Sequence, residues 1–312
     1  MEFRNLYYSS DENNLNAVKE NGLYLQFIEN QDFRLCHAAI KNNPRALKFV
    51  KKQDEFLCLE AVSACGDLLQ HVMYKTEKIC LAALNNEGLA IQYITMPDEQ
   101  MCLTAVKQNG YALKYIKAQN PQICLQAITT HPQAIKYVKN QTDELCLKAV
   151  ESDGLVLQDI FYPSAEVCEL AIRSNPAAIR YIDNPSSDLC LLAVRRKPHT
   201  IQFLKNCSEQ IWLEAIKRNA LVIRYLKQHT DSLIFAAVKY NPMALKYIQN
   251  PSEALVKFAI SLDYKAIRYL TNPSEKICLF ALSQSSDAYH LIQQKFRTSE
   301  VIDQYLKLKD KV

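Results

Sequence analysis

Residues Ile123–Glu144 read ICLQAITTHPQAIKYVKNQTDE, and at Leu145–Cys146 a closely similar sentence begins again. The cysteine in it, Cys124, returns every 22 residues, forward as Cys146, Cys168 and Cys190, backward as Cys102, Cys80, Cys58 and Cys36. With offsets counted from this position, thirteen repeats run from Asn14 to Cys278 without insertion or deletion. Offset +3 is alanine in all thirteen, from Ala17 to Ala281. Offsets +4 and +14 are always Val, Ile or Leu. So strict a period marks each unit as one supersecondary piece that buries its apolar face only against its neighbours.

The breakers are as regular as the core. All five glycines sit at offset +8 (Gly22, Gly66, Gly88, Gly110, Gly154), and five prolines share that offset. Five more prolines sit at +17, and Pro121 lies two further on. Every breaker thus falls in one of two turns per repeat. Offset +18 is a column of cap formers, among them Asp32, Asp54, Thr76, Asn120 and Ser252, with Ser10 ahead of the first repeat. Their side-chain oxygens suit the free amides of a helix start. The expectation is a helix A of about ten residues ending near +6. A shorter helix B over roughly +8 to +15 follows, with an apolar stripe at +10, +11 and +14. The fold class is all-α, a right-handed-type α/α solenoid of about thirteen 22-residue helix-turn-helix repeats. Residues 1–9 read as an N-terminal cap segment, 10–292 as a continuous solenoid and 293–312 as a C-terminal capping helix.

The cysteine column could bind metal, form disulfides or fill space. Helices stack about 8–10 Å apart, farther than the Cα separation of about 7 Å that limits a disulfide. No close cysteine pair of the kind zinc uses occurs. Later repeats place Trp212, Ile234 and Val256 in the same column, and only packing survives that exchange. Cys65 and Cys207 stand outside the column, Cys65 being the better candidate for an exposed thiol.

Offset +12 lies opposite the apolar stripe of helix B. It carries Gln26, Lys48, Gln70, Gln92, Lys114, Lys136, Gln158, Arg180, Gln202, Arg224, Lys246, Arg268 and His290, with no acid among them. A solvated helix position takes Glu as readily as Lys, so the bias admits two readings, a solvated face or a surface for an anionic partner. Beside it, offset +13 is aromatic in ten repeats, including Tyr115, Tyr137 and Tyr181. Packing between repeats explains that column, and a row of cations interleaved with rings is also what single-stranded nucleic-acid readers use. The formal net charge of +4 argues against strong non-specific nucleic-acid binding. Repeat seven breaks the pattern by placing Asp159 in the aromatic column and adding Phe161 and Tyr162. Drift, a kink or a docking site would each account for it.

With every glycine committed to a turn, there is no Gly-rich phosphate loop. No nucleophile–base spacing recurs, so the expectation is a non-enzyme with no cofactor and no metal. The start of the chain lacks a basic-then-apolar signal pattern, and no apolar run has spanning length, so a soluble intracellular setting is expected.

The unit in MCLTAVKQNGYALKYI, Met101–Ile116, and in LCLKAV, Leu145–Val150, resembles the repeat family known as domain of unknown function 4116. The resemblance extends over roughly residues 10–292. That family is frequent in giant DNA viruses of amoebae, so the resemblance implies a viral protein working in host cytoplasm or a virus factory. It supplies no activity or site residue. The expected function is a non-catalytic scaffold binding a protein partner along an extended surface. The alternative is RNA or single-stranded DNA bound through the +12 row.

Overall fold

The computed structural model describes residues 11–227 and 230–309. The segment read as an N-terminal cap, and Ser10, lie outside them. Among the described residues every regular element is helical. The chain divides into two compact units, one up to Leu170 and one from Ala171. Within each, helix-turn-helix repeats stack in sequence order, an all-α solenoid arrangement.

Each repeat opens with a ten-residue α-helix, as in Phe33–Asn42, Pro121–Thr130 and Glu253–Leu262. The column of cap formers starts them. Asp32, Asn120 and Ser252 accept from the backbone N–H three residues on, at 2.7, 2.8 and 3.3 Å. The helix ends where the +7 residue turns extended, its N–H still bonded to the +3 alanine carbonyl, as His131 is to Ala127 at 2.9 Å.

The second element corrects the sequence expectation. In the first twelve repeats it is a 3-10 helix of six residues from +8 to +13, such as Pro132–Tyr137 or Gly110–Tyr115, in place of a longer helix B, and in the thirteenth a four-residue α-helix, Ala288–Leu291. A 3-10 helix repeats every three residues, so +8, +11 and +14 fall on one line, and +9 and +12 on another. The +14 residue is already extended, its N–H closing on the +11 carbonyl, as Val138 does on Ile135 at 3.0 Å. That tighter wind buries +11 and +14 together in a segment too short for several α-type bonds. It also leaves +12 pointing outward.

A second cap column went unread in the sequence. Offset +7 starts the 3-10 helix. Asn21, Asn43, Asn109, Asp153, Asn175, Asn219, Asn241 and Asp263 there each accept from the N–H two residues on, at 2.9–3.1 Å. These short Asx caps satisfy amides that an isolated 3-10 turn leaves free.

The core follows the columns. The +3 alanines from Ala39 to Ala281 are fully buried, letting each helix press on the next. The cysteine column is buried throughout, and Trp212 and Val256 fill the same place. All eleven cysteines are free thiols. Desolvation, with Asp32 and Asp54 nearby, raises Cys36 from 9.0 to about 11, and desolvation with Asp54 does the same to Cys58. The packing reading therefore holds, with one addition. The Cys36, Cys58 and Cys124 thiols point at Gln31, Gln53 and Gln119 Oε1 at 3.9, 3.7 and 3.9 Å, as weak donors. Cys65 and Cys207 are both half-buried, and burial raises the Cys207 thiol to about 11. At the C-terminal end, helix Ser299–Lys309 buries Val301 and stacks Tyr305 on Tyr289 with ring centroids 4.0 Å apart.

Candidate interaction surface

The 3-10 wind holds the +12 position outward in the first twelve repeats, and all thirteen of its residues, with His290 on the short α-helix Ala288–Leu291, are exposed. The +13 neighbour is half-buried in nearly every repeat. The two columns are coupled. Lys48 Nζ stands 4.7 Å from the centre of the Phe49 ring, and Lys114 Nζ 5.5 Å from Tyr115. Lys136 lies 5.0 Å from Tyr137 and 5.7 Å from Tyr111, which belongs to the preceding repeat. In the second unit Arg180 sits 5.7 Å from Tyr181 and 4.3 Å from Phe203 of the next repeat. Arg224 and Lys246 cover Tyr225 and Tyr247 at 4.7 and 5.9 Å. These are cation–π distances. Seven of the ten aromatic residues at +13 thus carry a cation within about 6 Å of the ring centre.

Arg224 is the most elaborated of them. Its Nη2 donates to the Tyr225 hydroxyl at 2.6 Å. That bond, with a further one to the Tyr247 hydroxyl, pushes the guanidinium above its usual value, so its charge is permanent. Arg268 is exposed beside a half-buried Tyr269. Gln92, Gln158 and Gln202 occupy the row as exposed neutral residues.

The row is not uniform. In the first unit it is interrupted where acids answer it. Gln70 Nε2 donates to Asp67 Oδ2 at 2.9 Å, and the Tyr93 hydroxyl donates to Asp67 Oδ1 at 2.8 Å, which raises that phenol. At repeat seven the aromatic column holds half-buried Asp159. That repeat keeps the regular frame, with helices Asp143–Ser152 and Gly154–Asp159 in the common register. Its irregularity lies in the turn, where Phe161 and Tyr162 are 71% and 96% exposed. Met73, Tyr74 and Met96 are exposed in equivalent turns of repeats three and four.

Sequence reasoning missed the residues that join one repeat to the next. Gln31, Gln53, Gln119 and Gln141, all at +17, each donate to the +13 carbonyl of the following repeat at 2.9–3.0 Å. Each also accepts from its +15 N–H at 2.9–3.1 Å. A second stitch binds the +8 glycines. Gly22, Gly66 and Gly88 N–H donate to Asn42, Asn86 and Gln108 side chains at 2.7–2.8 Å, and Gly110 to His131 Nδ1 at 3.1 Å. Pairing columns across successive repeats exposes the rule. Where +8 is proline, with no N–H to satisfy, the next +6 residue is never Asn or Gln: it is Ala64, Ser152, Arg196, Arg218 or Leu262.

Comparison with known proteins agrees with the repeat. A family model described as Domain of unknown function (DUF4116) matches residues 76–119 and 98–142, two overlapping windows 22 residues apart. No curated protein matches the chain. No helix of the described residues is long and apolar enough to cross a membrane.

Proposed function

We propose that the protein is a non-catalytic helical-repeat scaffold that holds a protein partner along the +12 rows of its 3-10 helices. The observation that carries this reading is the state of those rows. Thirteen outward residues include no acid, and the cations among them are braced over rings. Such a surface offers fixed positive charge on a stiff repeat, a form suited to an extended partner. The alternative, RNA or single-stranded DNA on the same row, stacks its bases on open ring faces, and cations already lie near seven of the ten +13 rings. The family resemblance implies a host-cytoplasm or virus-factory setting for this scaffold.

The test is affinity capture with the whole chain beside a variant with Lys114, Lys136, Arg180 and Arg224 changed to Glu. A second variant reverses Lys41, Lys107, Lys217 and Lys239 at the ends of the α-helices. Proteins retained by the wild type and the second variant but lost by the first support the proposal. Salt-sensitive binding of single-stranded RNA that the first variant loses, with no such protein, overturns it.

A further inference from the structure

The longest uninterrupted basic stretch lies in the second unit, where Arg224, Lys246 and Arg268 occupy +12 of three successive repeats. Lys265 adds a fourth cation, 6.0 Å from the Tyr264 ring. Of the acids nearest in sequence, two are engaged within the fold, and Asp231 and Glu275 sit in the first turns of the α-helices. Asp263 Oδ1 accepts from Lys265 N–H at 2.9 Å as a cap, and Glu253 Oε1 pairs with Lys257 at 2.7 Å. Asp287 lies one repeat beyond, beside His290. The Tyr225 hydroxyl accepts from Arg224 and so keeps its own O–H to give. Guanidinium and phenol donors therefore lie beside one another, and among the described residues no ion pair to Arg224, Lys246 or Arg268 is formed. That is the donor set of a carboxylate receptor.

Resting on the scaffold reading above, we infer that this strip binds an extended acidic peptide whose carboxylates recur every third residue. Successive repeats set their cations about 8–10 Å apart, the spacing of packed helices. A polyproline-type chain advances about 9 Å in three residues, so one carboxylate meets each repeat. Two of the three +13 rings on the strip are partly covered, because Arg224 and Lys246 lie over Tyr225 and Tyr247, which leaves bases little to stack on. A peptide carrying only side-chain carboxylates uses what remains.

The experiment is fluorescence anisotropy of the full chain with a labelled peptide of repeated Glu-Pro-Pro units. Its competitors are a peptide of the same composition with its glutamates in one block, and oligouridine of equal charge. The spaced peptide should bind. Arg224→Gln, Lys246→Gln and Arg268→Gln together should weaken it by about tenfold, the sum of three modest exposed charge pairs. Lys217→Gln, Lys239→Gln and Lys276→Gln, which remove equal charge elsewhere in the unit, should leave it within about twofold. Equal binding of the blocked peptide overturns the register. Stronger binding of oligouridine overturns the peptide assignment. Failure of the spaced peptide, while the charge-reversed variant above still loses a captured protein, sinks this inference and leaves the scaffold standing.

Discussion

The repeats up to Leu170 and those from Ala171 share one period but join their neighbours by different means. All five glycines at +8 and all four glutamines at +17 belong to the first unit. There, side chains bond to the backbone of an adjoining repeat, as Asn86 does to the Gly66 N–H of the repeat before it and Gln53 to the His71 carbonyl of the repeat after it. In the second unit +8 becomes Pro176, Pro198, Ala220, Pro242 or Tyr264, and +17 becomes Pro185, Cys207, Pro251 or Pro273. Two of its turns, at Asn184 and Asn250 before proline, take φ of 52° and 48°, the left-handed region that asparagine tolerates. Its polar links run instead between side chains, as Arg195 to Glu214 at 3.3 Å and Asn219 to His199 at 3.2 Å. One period can thus be kept by two sets of contacts. The apolar columns set the stack, and the polar joints are free to differ.

Alkaline pH should separate the units most. Burial first, with acids nearby in several cases, raises seven cysteine thiols in the first unit and three in the second, Cys190, Cys207 and Cys278. A raised thiol means that the fold favours the protonated form. That stability is complete below the unfolded value of 9.0 and fades as pH climbs toward about 11, where Cys36, Cys58 and Cys146 of the first unit and Cys207 of the second titrate. Trp212, the one tryptophan, reports on the second unit. Helical circular dichroism should fall at lower pH than the Trp212 emission maximum shifts. Coincident transitions would show that the thiols do not distinguish the units.

The +8 joint gives the next largest contrast. A Cβ on Gly88 would overlap the Ala105 carbonyl oxygen and sit 2.9 Å from Gln108 Oε1. Gly88→Ala should cost about 2 kcal/mol, the scale of overpacking in a full core. Ala220 holds the same offset in the second unit and is buried there. Ala220→Gly should cost less, about 1 kcal/mol, mainly chain entropy. Local hydrogen exchange of the flanking helices measures both, and equal costs would erase the distinction between joints.

Removing a single glutamine should have the smallest effect. Gln53→Ala strips the His71 carbonyl and the Met73 N–H of their partner, both bonded at 2.9 Å. A loss of about 1 kcal/mol is expected, since both groups are near enough to solvent to recruit water. Faster exchange at the Met73 amide, with the α-helices unchanged, would place the effect at the joint. A uniform increase across the unit would make the glutamine part of the core.

The chain of inference from sequence held best where columns repeat without exception. Alanine at +3, the aliphatic +4 and +14, and the +18 caps each fixed a local feature, and the α-helices begin and end as those columns require. The outward +12 row was legible for the same reason, because thirteen samples of one position reveal a bias that one would hide. The wind of the second element was not. Apolar spacings at +10, +11 and +14 suit an α stripe and a 3-10 line nearly equally, and only the extended residue at +14 decides between them. The Gln and Asn stitches escaped because each is a pair across repeats, such as Gly88 with Gln108, while each column alone looks variable.

The sequence by itself determined the period, the all-helical class, the buried columns and the outward row, because each depends on one position repeated thirteen times. Tertiary structure alone decided what the row is. Lys136 reaches the Tyr111 ring of the repeat before it, and Arg180 the Phe203 ring of the repeat after it. Whether an exposed cation is free in solvent or braced over a neighbour's ring depends on how closely two repeats stack, a distance that no single repeat contains.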